Sequence, residues 1–357
     1  MEKLKPVRPC EKTRRIRVGN VEMGAGAPCV VQSMLSVPAD DIEGNMNQLY
    51  ALAGAGCEVV RMAIPNKKAL ESFEYVCKHS PVPIIADIHF SADLAIQAAK
   101  RGASKLRINP GNIGGLEKTK SVLQVAKECN IPIRIGVNAG SLDRTLKARN
   151  DLSLPEKLAL SAKEYVEFCE QEGFYDLVVS AKAHDVPTTI EAYRILAQTI
   201  PDIPLHIGVT EAGTLFQGLI KSSAGLGVLL EQGIGDTMRI SLTDDPVEEV
   251  RACWSLLSAL GLRRRGVEIV SCPTCGRCQV DMIKMAKQVE QALRTIDKPI
   301  TVAVMGCVVN GPGEAEGADI GVACGRGSGI IFHKGKTLRK VPEEGIVNAL
   351  LEEIKKL

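Results

Sequence analysis

The hydrophobic positions of this chain recur in one rhythm from residue 28 to about residue 262. A short apolar run rich in β-branched residues is followed by a turn signal and then by a segment with helical periodicity. There are eight such runs: Pro28–Ser33, Cys57–Ala63, Val82–Asp87, Ser104–Asn109, Ile131–Asn138, Tyr175–Lys182, Ile203–Thr210 and Asp236–Ser241. Eight β–α units in this length of chain are typical of a TIM (β/α)8 barrel.

The segments between these runs have the pattern of helices. Examples are Asp40–Ala55, Ser91–Arg101, Pro155–Glu172 and Pro246–Leu260. Ser91 and Asp245 stand where their side chains can cap a helix N-terminus. An open doubly wound sheet has the same alternation of strands and helices. The count of eight units, and the lack of an early G-x-G-x-x-G motif after a strand, favour the barrel.

The pattern changes after a basic stretch at residues 263–265. Strand-like runs occur at Val267–Ser271, Ile300–Met305, Asp319–Ala323 and Ile330–His333, and helix-like segments at Gln279–Leu293 and Glu343–Lys355. We therefore predict two domains, a barrel domain over residues 1–262 and a small α+β domain over residues 266–357. Arg15–Gly24, with Gly19-Asn20 as its turn, predicts a β-hairpin placed to close the bottom of the barrel.

Composition narrows the class of protein. The chain of 357 residues is 45% hydrophobic and carries a net charge of only +2, which argues against a general nucleic-acid or membrane binder. The basic N-terminus lacks the apolar stretch of a signal peptide, and no apolar run approaches the length of a membrane span. We expect a cytoplasmic protein, in which the twelve cysteines remain reduced.

Polar side chains follow the predicted barrel strands toward their C-terminal ends. Residues two apart share a face of a strand, and active sites of TIM barrels lie at the carboxyl ends of the strands. Polar residues with this placement are Gln32, Arg61, Asp87, His89, Arg107, Asn109, Arg134, Asn138, Ser180, Lys182, His206, Thr210, Arg239 and Ser241. The sequence therefore predicts that a set of polar groups converges on one mouth.

The predicted mouth has more cations than carboxylates. Its cations are Arg61, Arg107, Arg134, Lys182 and Arg239. Asp87 and Glu211 are too few to neutralise them, and buried cations are costly unless paired. We expect a phosphate or diphosphate of the substrate to supply the missing charge. Internal ion pairs or polar barrel layers are the alternative.

Four titratable side chains are candidates for proton transfer at this mouth: Asp87, His89, His206 and Glu211. Glu211 lies just past the seventh strand, in Thr210-Glu211-Ala212-Gly213, where a loop can present an acid or a base.

Five cysteines crowd into the last quarter of the chain. Cys272, Cys275 and Cys278 form a C-x-x-C-x-x-C run, while Cys307 and Cys324 stand singly. Thiolates in such a run bind zinc or an iron–sulfur cluster. A zinc ribbon normally pairs two C-x-x-C hooks, and the second hook is missing, so the spacing favours a cluster over zinc or no metal.

Ordered motifs along nearly the whole chain resemble the 4-hydroxy-3-methylbut-2-en-1-yl diphosphate synthases of the methylerythritol phosphate isoprenoid pathway. They are residues 31–34 (VQSM), 86–90 (ADIHF), 107–112 (RINPGN), 134–138 (RIGVN), 210–213 (TEAG), 241–246 (SLTDDP), 271–276 (SCPTCG) and 306–314 (GCVVNGPGE). The resemblance implies that two electrons open the ring of 2-C-methyl-D-erythritol 2,4-cyclodiphosphate and remove a hydroxyl as water.

The resemblance also implies a cofactor and partners. It assigns a [4Fe–4S] cluster to Cys272, Cys275, Cys307 and Glu314, with ferredoxin or flavodoxin as electron donor and a homodimer as the assembly. A carboxylate is a more labile ligand than a thiolate and can yield its iron to substrate oxygen. Spacing alone nominates Cys278 as the fourth ligand, so the two arguments disagree there.

Two other functions remain open at this stage. One is a cluster-free TIM-barrel transferase with a zinc-stapled C-terminal domain, and the other is a non-catalytic iron–sulfur redox sensor. Iron and sulfide analysis separates the first from the synthase. Binding of the cyclic diphosphate separates the second, because a sensor does not need a cationic barrel mouth.

Overall fold

The computed structural model describes residues 10–278, 280–307, 315 and 317–357. The chain divides into two compact units, Met1–Arg263 and Arg264–Leu357. In the described part of the chain, no helix combines the length and the apolar character that crossing a membrane requires.

The first unit begins with a β-hairpin. Strands β1 (Ile16–Val18) and β2 (Val21–Met23) pair antiparallel around a turn in which Gly19 has φ +58°. Ile16, Val18 and Met23 are buried together with residues near the starts of four barrel strands: Val30, Val59, Ile85 and Val178. The hairpin therefore supplies an apolar floor at the N-terminal end of the barrel lumen.

Eight parallel strands form the barrel. They are β3 (Val30–Met34), β4 (Val59–Ala63), β5 (Ile84–Asp87), β6 (Lys105–Ile108), β7 (Ile133–Asn138), β8 (Leu177–Lys182), β9 (His206–Ile207) and β10 (Thr237–Met238). The order is β8-β7-β6-β5-β4-β3-β10-β9, and a parallel bridge between Val179 of β8 and Leu205 completes the circle. The predicted (β/α)8 barrel is confirmed, and the open doubly wound sheet is excluded because its edges would stay apart.

Helices follow the strands and cover the outside of the barrel. They are α1 (Ile42–Gly54), α2 (Ala69–His79), α3 (Ala92–Lys100), α4 (Leu116–Glu128), α5 (Arg144–Ala148), α6 (Leu154–Gln171), α7 (Val186–Thr199), α8 (Leu215–Glu231) and α9 (Pro246–Ala259). The side chain of Ser91 accepts the Leu94 N–H, and that of Asp245 accepts the Val247 N–H, as the sequence predicted for these caps.

The second unit is built on a five-stranded sheet. Its strands are β11 (Glu268–Ser271), β12 (Thr301–Met305), β13 (Ile320–Gly325), β14 (Ser328–His333) and β15 (Lys336–Pro342), and its helices are α10 (Met282–Leu293) and α11 (Ile346–Lys356). β11, β12 and β13 are parallel, whereas β14 and β15 are antiparallel additions. The helices pack their apolar faces on this sheet, with Val289 and Leu350 in the shared core.

Two details of the second unit differ from the expectation. Strand β15 was missed, because its sequence KTLRKVP is an edge strand with nearly all side chains exposed and no apolar face to detect. Helix α10 begins at Met282, with Asp281 capping the Lys284 N–H. The helix was expected from Gln279, a residue outside the described part of the chain.

Candidate active site

Strand register brings the predicted cations together. Asp87 of β5, Arg107 of β6 and Arg134 of β7 are aligned partners across three neighbouring strands. Asn138 of β7 is aligned in the same way with Lys182 of β8. Aligned residues of neighbouring strands point to the same side of a sheet, so these side chains share the lumen face.

Asp87 is the carboxylate at the centre of this group and is 2% exposed. Its Oδ1 lies 3.0 Å from Arg107 Nη1, and its Oδ2 lies 3.4 Å from both Arg61 Nε and His89 Nε2. Burial raises the pKa of Asp87, but the charge of Arg61 and the hydrogen bond from His89 outweigh it and hold the pKa well below its usual range. Asp87 is therefore held as an ionised carboxylate paired with Arg61 and Arg107.

Arg134 is the least compensated cation among the predicted site residues. It is 1% exposed, and its Nε and Nη1 have no hydrogen-bond partner, nor does Nε of Arg107. Burial lowers the pKa of Arg134 well below its usual value, and the neighbouring Arg61 and Arg107 lower it further. Because Arg has donors and no acceptor, these vacant N–H groups await acceptor oxygens that the described residues do not supply.

Lys182 and His206 form a buried pair, with Lys182 Nζ 3.1 Å from His206 Nε2. An ammonium group has no acceptor, so Nε2 accepts and His206 is neutral with its proton on Nδ1, which faces Thr237 Oγ1 at 3.4 Å. Burial and then the charge of Lys182 lower the pKa of His206 well below its ordinary value. The Tyr193 hydroxyl donates to the His206 carbonyl at 2.5 Å and fixes this segment.

Arg239 differs from the expectation because it has a carboxylate of its own. Glu249 of α9 binds it in a bidentate pair, Nε–Oε2 and Nη2–Oε1 both at 3.0 Å. Glu249 is 1% exposed and also accepts from Ser33 Oγ and from the Leu242 N–H. Glu249 does not stand out in the sequence, because an acidic residue in the first turn of a helix is ordinary.

The remaining polar candidates surround this group. Asn109 is buried, and its Oδ1 accepts the Gly111 N–H at 3.1 Å. Asn138, at the end of β7, and Ser241, three residues past β10, are half-buried. Gln32 is fully buried in β3, with both amide atoms lacking a partner.

Glu211 stands apart from this group. Its side chain is exposed, and no hydrogen bond or ion pair joins it to another described residue. Its φ of 54° lies in the left-handed region, which costs a non-glycine residue about 1 kcal/mol or more. Such strain at a loop position beside a barrel mouth is typical of functional residues.

Two glycines make room for the cations and were missed from sequence. A Cβ on Gly136 of β7 would lie 2.6 Å from Arg107 Nε, and a Cβ on Gly208 would lie 2.5 Å from Lys182 Nζ. Each glycine lies two residues past a lumen side chain, Arg134 or His206, so it faces the lumen too. That spacing is the signal that could have revealed them.

Three cysteines of the second unit, Cys272, Cys278 and Cys307, lie at one edge of its sheet. Cys272 follows β11, and Cys307 follows β12, its parallel neighbour. The Gly306 N–H donates to Cys272 Sγ at 3.1 Å. A Cβ on Gly306 would lie 2.7 Å from Cys278 Sγ and 3.3 Å from Cys272 Sγ, so both sulfurs border the same glycine.

The other thiols have different surroundings. Cys275 is exposed, and hydrogen bonds from Arg277 lower its thiol pKa. Cys324 lies in the core of the second unit beside Met285, and burial raises its pKa to about 12. Glu314 lies outside the described residues.

The donor set at this edge is suited to an iron–sulfur group. Within the described residues no three His, Cys, Asp or Glu side chains are already arranged around a metal position. Thiols at the ends of adjacent strands, with a backbone N–H directed at one sulfur, nevertheless match the ligands and sulfur hydrogen bonds of such clusters.

Fold and lumen together define a TIM-barrel protein with a buried, cation-rich lumen, followed by a small cysteine-bearing domain. Residues 13–254 match the model of the GcpE TIM-barrel domain, and residues 268–356 match that of the GcpE protein C-terminal domain. The chain belongs to the GcpE family, as its motifs predicted. Members of this family are enzymes with an iron–sulfur cofactor.

Curated relatives support the same assignment over the whole chain. A Geobacter sulfurreducens protein is 52% identical over 97% of this chain and 98% of its own length, and an Aquifex aeolicus protein is 50% identical over 97% of each. Both are named 4-hydroxy-3-methylbut-2-en-1-yl diphosphate synthase (flavodoxin). A Yersinia pestis dihydropteroate synthase in a sulfonamide complex covers 70% of this chain and 100% of its own, with a TM-score of 0.52 and 11% identity, and shows the fold alone.

Proposed function

We propose that this chain is a 4-hydroxy-3-methylbut-2-en-1-yl diphosphate synthase, which reduces 2-C-methyl-D-erythritol 2,4-cyclodiphosphate to 4-hydroxy-3-methylbut-2-enyl diphosphate. One structural observation carries this beyond family membership. Arg61, Arg107, Arg134 and Lys182 are gathered in the lumen, while the one carboxylate paired with any of them among the described residues is Asp87, which pairs with Arg61 and Arg107. A diphosphate supplies the acceptor oxygens and the negative charge that this group lacks.

The reaction itself favours an excess of cations. Opening the ring breaks a carbon–oxygen bond and leaves the electron pair on the diphosphate, which gains negative charge. Donors that face this developing charge stabilise the transition state more than the ground state. We assign Arg107, Arg134 and Lys182 to the diphosphate oxygens, because their N–H groups are buried. Asn109 and Asn138 border them and orient the carbon skeleton.

The other assigned substrate contacts border this set. Arg61 lies between Asp87 and Met34, where it can contact the diphosphate while it remains paired with Asp87. His206 presents a neutral ring beside Lys182, and Ser241 lies half-buried after β10. Arg239 is held by Glu249 and so offers its remaining Nη1, at 3.5 Å from Met34 Sδ, to the ligand.

For the cofactor we propose a [4Fe–4S] cluster held by Cys272, Cys275, Cys307 and Glu314. When bound, the cluster would pass the donor's two electrons to the substrate one at a time and would supply a Lewis-acidic iron. The positions of Cys272 and Cys307 at the ends of β11 and β12 support this set, while Glu314 rests on the family pattern. The names of the relatives support flavodoxin as electron donor, with ferredoxin as the alternative, and we propose a homodimer.

Glu211 is our candidate for the proton donor. The departing hydroxyl leaves as water and so takes up a proton, and water is a poor leaving group without one. Glu211 is unpaired among the described residues and held in a strained conformation, which leaves its carboxyl group available. Asp87 is ionised by its arginines and contributes by positioning them.

The test is turnover of the cyclic diphosphate under argon with a strong one-electron reductant. Glu211→Gln should bind the cyclic diphosphate within about twofold of the parent and lose roughly a hundredfold or more in kcat. Glu231→Gln, at the exposed end of α8, is the matched control and should behave as the parent. Full turnover by Glu211→Gln would remove Glu211 from the mechanism, and no turnover by the parent would refute the proposed function.

A further inference from the structure

One buried cation lies below the group that forms the mouth. Lys105 is the first residue of β6, two positions before Arg107 on the same strand face, and its side chain has no exposure. In the sheet it is aligned with Ile85, which belongs to the apolar floor. Its ammonium group therefore lies at the bottom of the lumen, where water has least access.

Among the described residues, no carboxylate is found to act on Lys105. The one hydrogen-bond acceptor that the described residues offer its Nζ is the Met23 sulfur at 3.9 Å, a weak acceptor at a long distance. The charged groups that act on it are Arg134 and Arg61, and Lys105 in turn acts on the neutral His206. Burial and then these arginines lower the pKa of Lys105 well below its usual value.

Unpartnered polar atoms occur on other lumen strands. Arg134 has two vacant nitrogens, and Gln32 has a vacant amide nitrogen and oxygen, all buried. A folded protein normally pairs such groups or fills the space with a ligand or ordered water. Lys105 has no carboxylate partner among the described residues, and Arg134 has N–H groups without acceptors. An anion that enters the lumen would supply the missing charge and acceptors.

We propose that Lys105 is a further anion-binding residue of this enzyme, and that with Arg134 it forms a deep subsite for a phosphoryl oxygen beneath the mouth. This proposal rests on the proposed function, and it adds Lys105 to the cations that we assign to the diphosphate. A phosphoryl oxygen that enters the lumen gives Lys105 Nζ a charge-assisted partner in place of the distant Met23 sulfur.

Inorganic diphosphate is the probe, measured by calorimetry on the anaerobic holoenzyme. Lys105→Met, which keeps length and removes charge, should weaken binding about ten- to hundredfold, since a charge-assisted bond is lost. Lys100→Met, an exposed position on α3, is the matched control and should bind as the parent. The melting temperature of ligand-free Lys105→Met should equal or exceed that of the parent, because an unpaired buried amine is removed.

The outcomes separate this subsite from a structural lysine. A folded Lys105→Met variant with parental affinity overturns the proposal, and so does a lowered melting temperature with unchanged affinity. Lys105→Gln is the second variant should the first fail to fold.

The probe also keeps this proposal distinct from the proposed function. Inorganic diphosphate binding does not require turnover. If the parent binds diphosphate through Lys105 but does not turn over the cyclic diphosphate, the reaction is refuted and the subsite remains. If turnover is normal and Lys105→Met binds diphosphate as the parent does, the subsite is refuted and the reaction remains.

Discussion

The barrel lumen and the cysteine edge of the second unit hold their functional groups in opposite ways. In the lumen, Asp87, Arg107 and Arg134 are each at most 5% exposed, and they sit on aligned positions of neighbouring strands. At the cysteine edge, Cys275 is exposed and Cys272 and Cys307 are half-buried, although two of them also end neighbouring strands. The barrel strands thus fix the positions of the lumen side chains. At the cysteine edge, the described residues offer ligands that are not yet arranged around a metal position.

The difference follows from what each site must bind. A diphosphate has to enter and leave, so its donors are fixed in advance by strands, and the charge repulsion among them is relieved when it binds. A resident cluster stays, and its binding free energy can order its own ligands. We therefore expect lumen variants to change affinity without unfolding the chain, and edge variants to change cofactor content.

The sharpest way to break this comparison is to remove one thiol of the edge. Cys272→Ser loses a ligand and the acceptor of the Gly306 N–H, so iron content should fall and turnover should drop by about a hundredfold or more. Diphosphate affinity should stay within about twofold, because the lumen is untouched. Iron and sulfide analysis with calorimetry checks both, and Cys10→Ser, an exposed thiol of the first unit, is the control. Retained iron would exclude Cys272 as a ligand.

A smaller effect should come from adding one methyl group to the lumen. In Gly136→Ala the new Cβ would approach Arg107 Nε to 2.6 Å, so the guanidinium must move and its 3.0 Å pair with Asp87 is strained. We expect KM for the cyclic diphosphate to rise about tenfold with kcat changed less, since a bound charge is displaced rather than removed. Gly140→Ala, where nothing lies within 4 Å, should leave both parameters unchanged.

A parental KM in Gly136→Ala would show that Arg107 is free to shift, and that the lumen is less rigid than the comparison holds. Crystallography of the variant would then locate the guanidinium. Such an outcome would make the lumen resemble the cysteine edge, where the ligands become ordered when they bind the cluster.

The strands of the barrel could be predicted because buried strands have a recognisable run of apolar residues in the sequence. Eight apolar runs with polar residues two apart marked both the strands and the lumen face. Strand β15 could not, because an exposed edge strand buries almost nothing and its residues are charged. Periodicity detects burial, so elements without it pass unnoticed.

The candidate site was predictable in its cations and not in their partners. Arg61, Arg107 and Arg134 follow from strand position, but the pairing of Arg239 with Glu249 joins β10's end to α9 and depends on helix rotation. Lys105 shares the strand face of Arg107, but it lies at the amino end of β6, and the prediction considered only the carboxyl ends of the strands. The role of Gly136 and Gly208 can be recognised only in the structure, where a Cβ would occupy the space next to Arg107 or Lys182.

The smallest expected effect concerns Cys278, where spacing and family pattern disagree. Its Sγ borders Gly306 beside Cys272, so it is near enough to the edge to be considered. Its Sγ, however, lies 3.3 Å from the Val280 carbonyl and so has a polar contact within its own segment. Four thiolates would also leave no labile position for substrate oxygen. Cys278→Ser keeps a donor at this place, so it should retain its cluster and turn over within about threefold of the parent. Glu314→Ala is the contrasting variant, and it should lose turnover while iron analysis shows a cluster with three irons. The reverse pattern, with iron lost from Cys278→Ser and turnover retained by Glu314→Ala, would make Cys278 the fourth ligand.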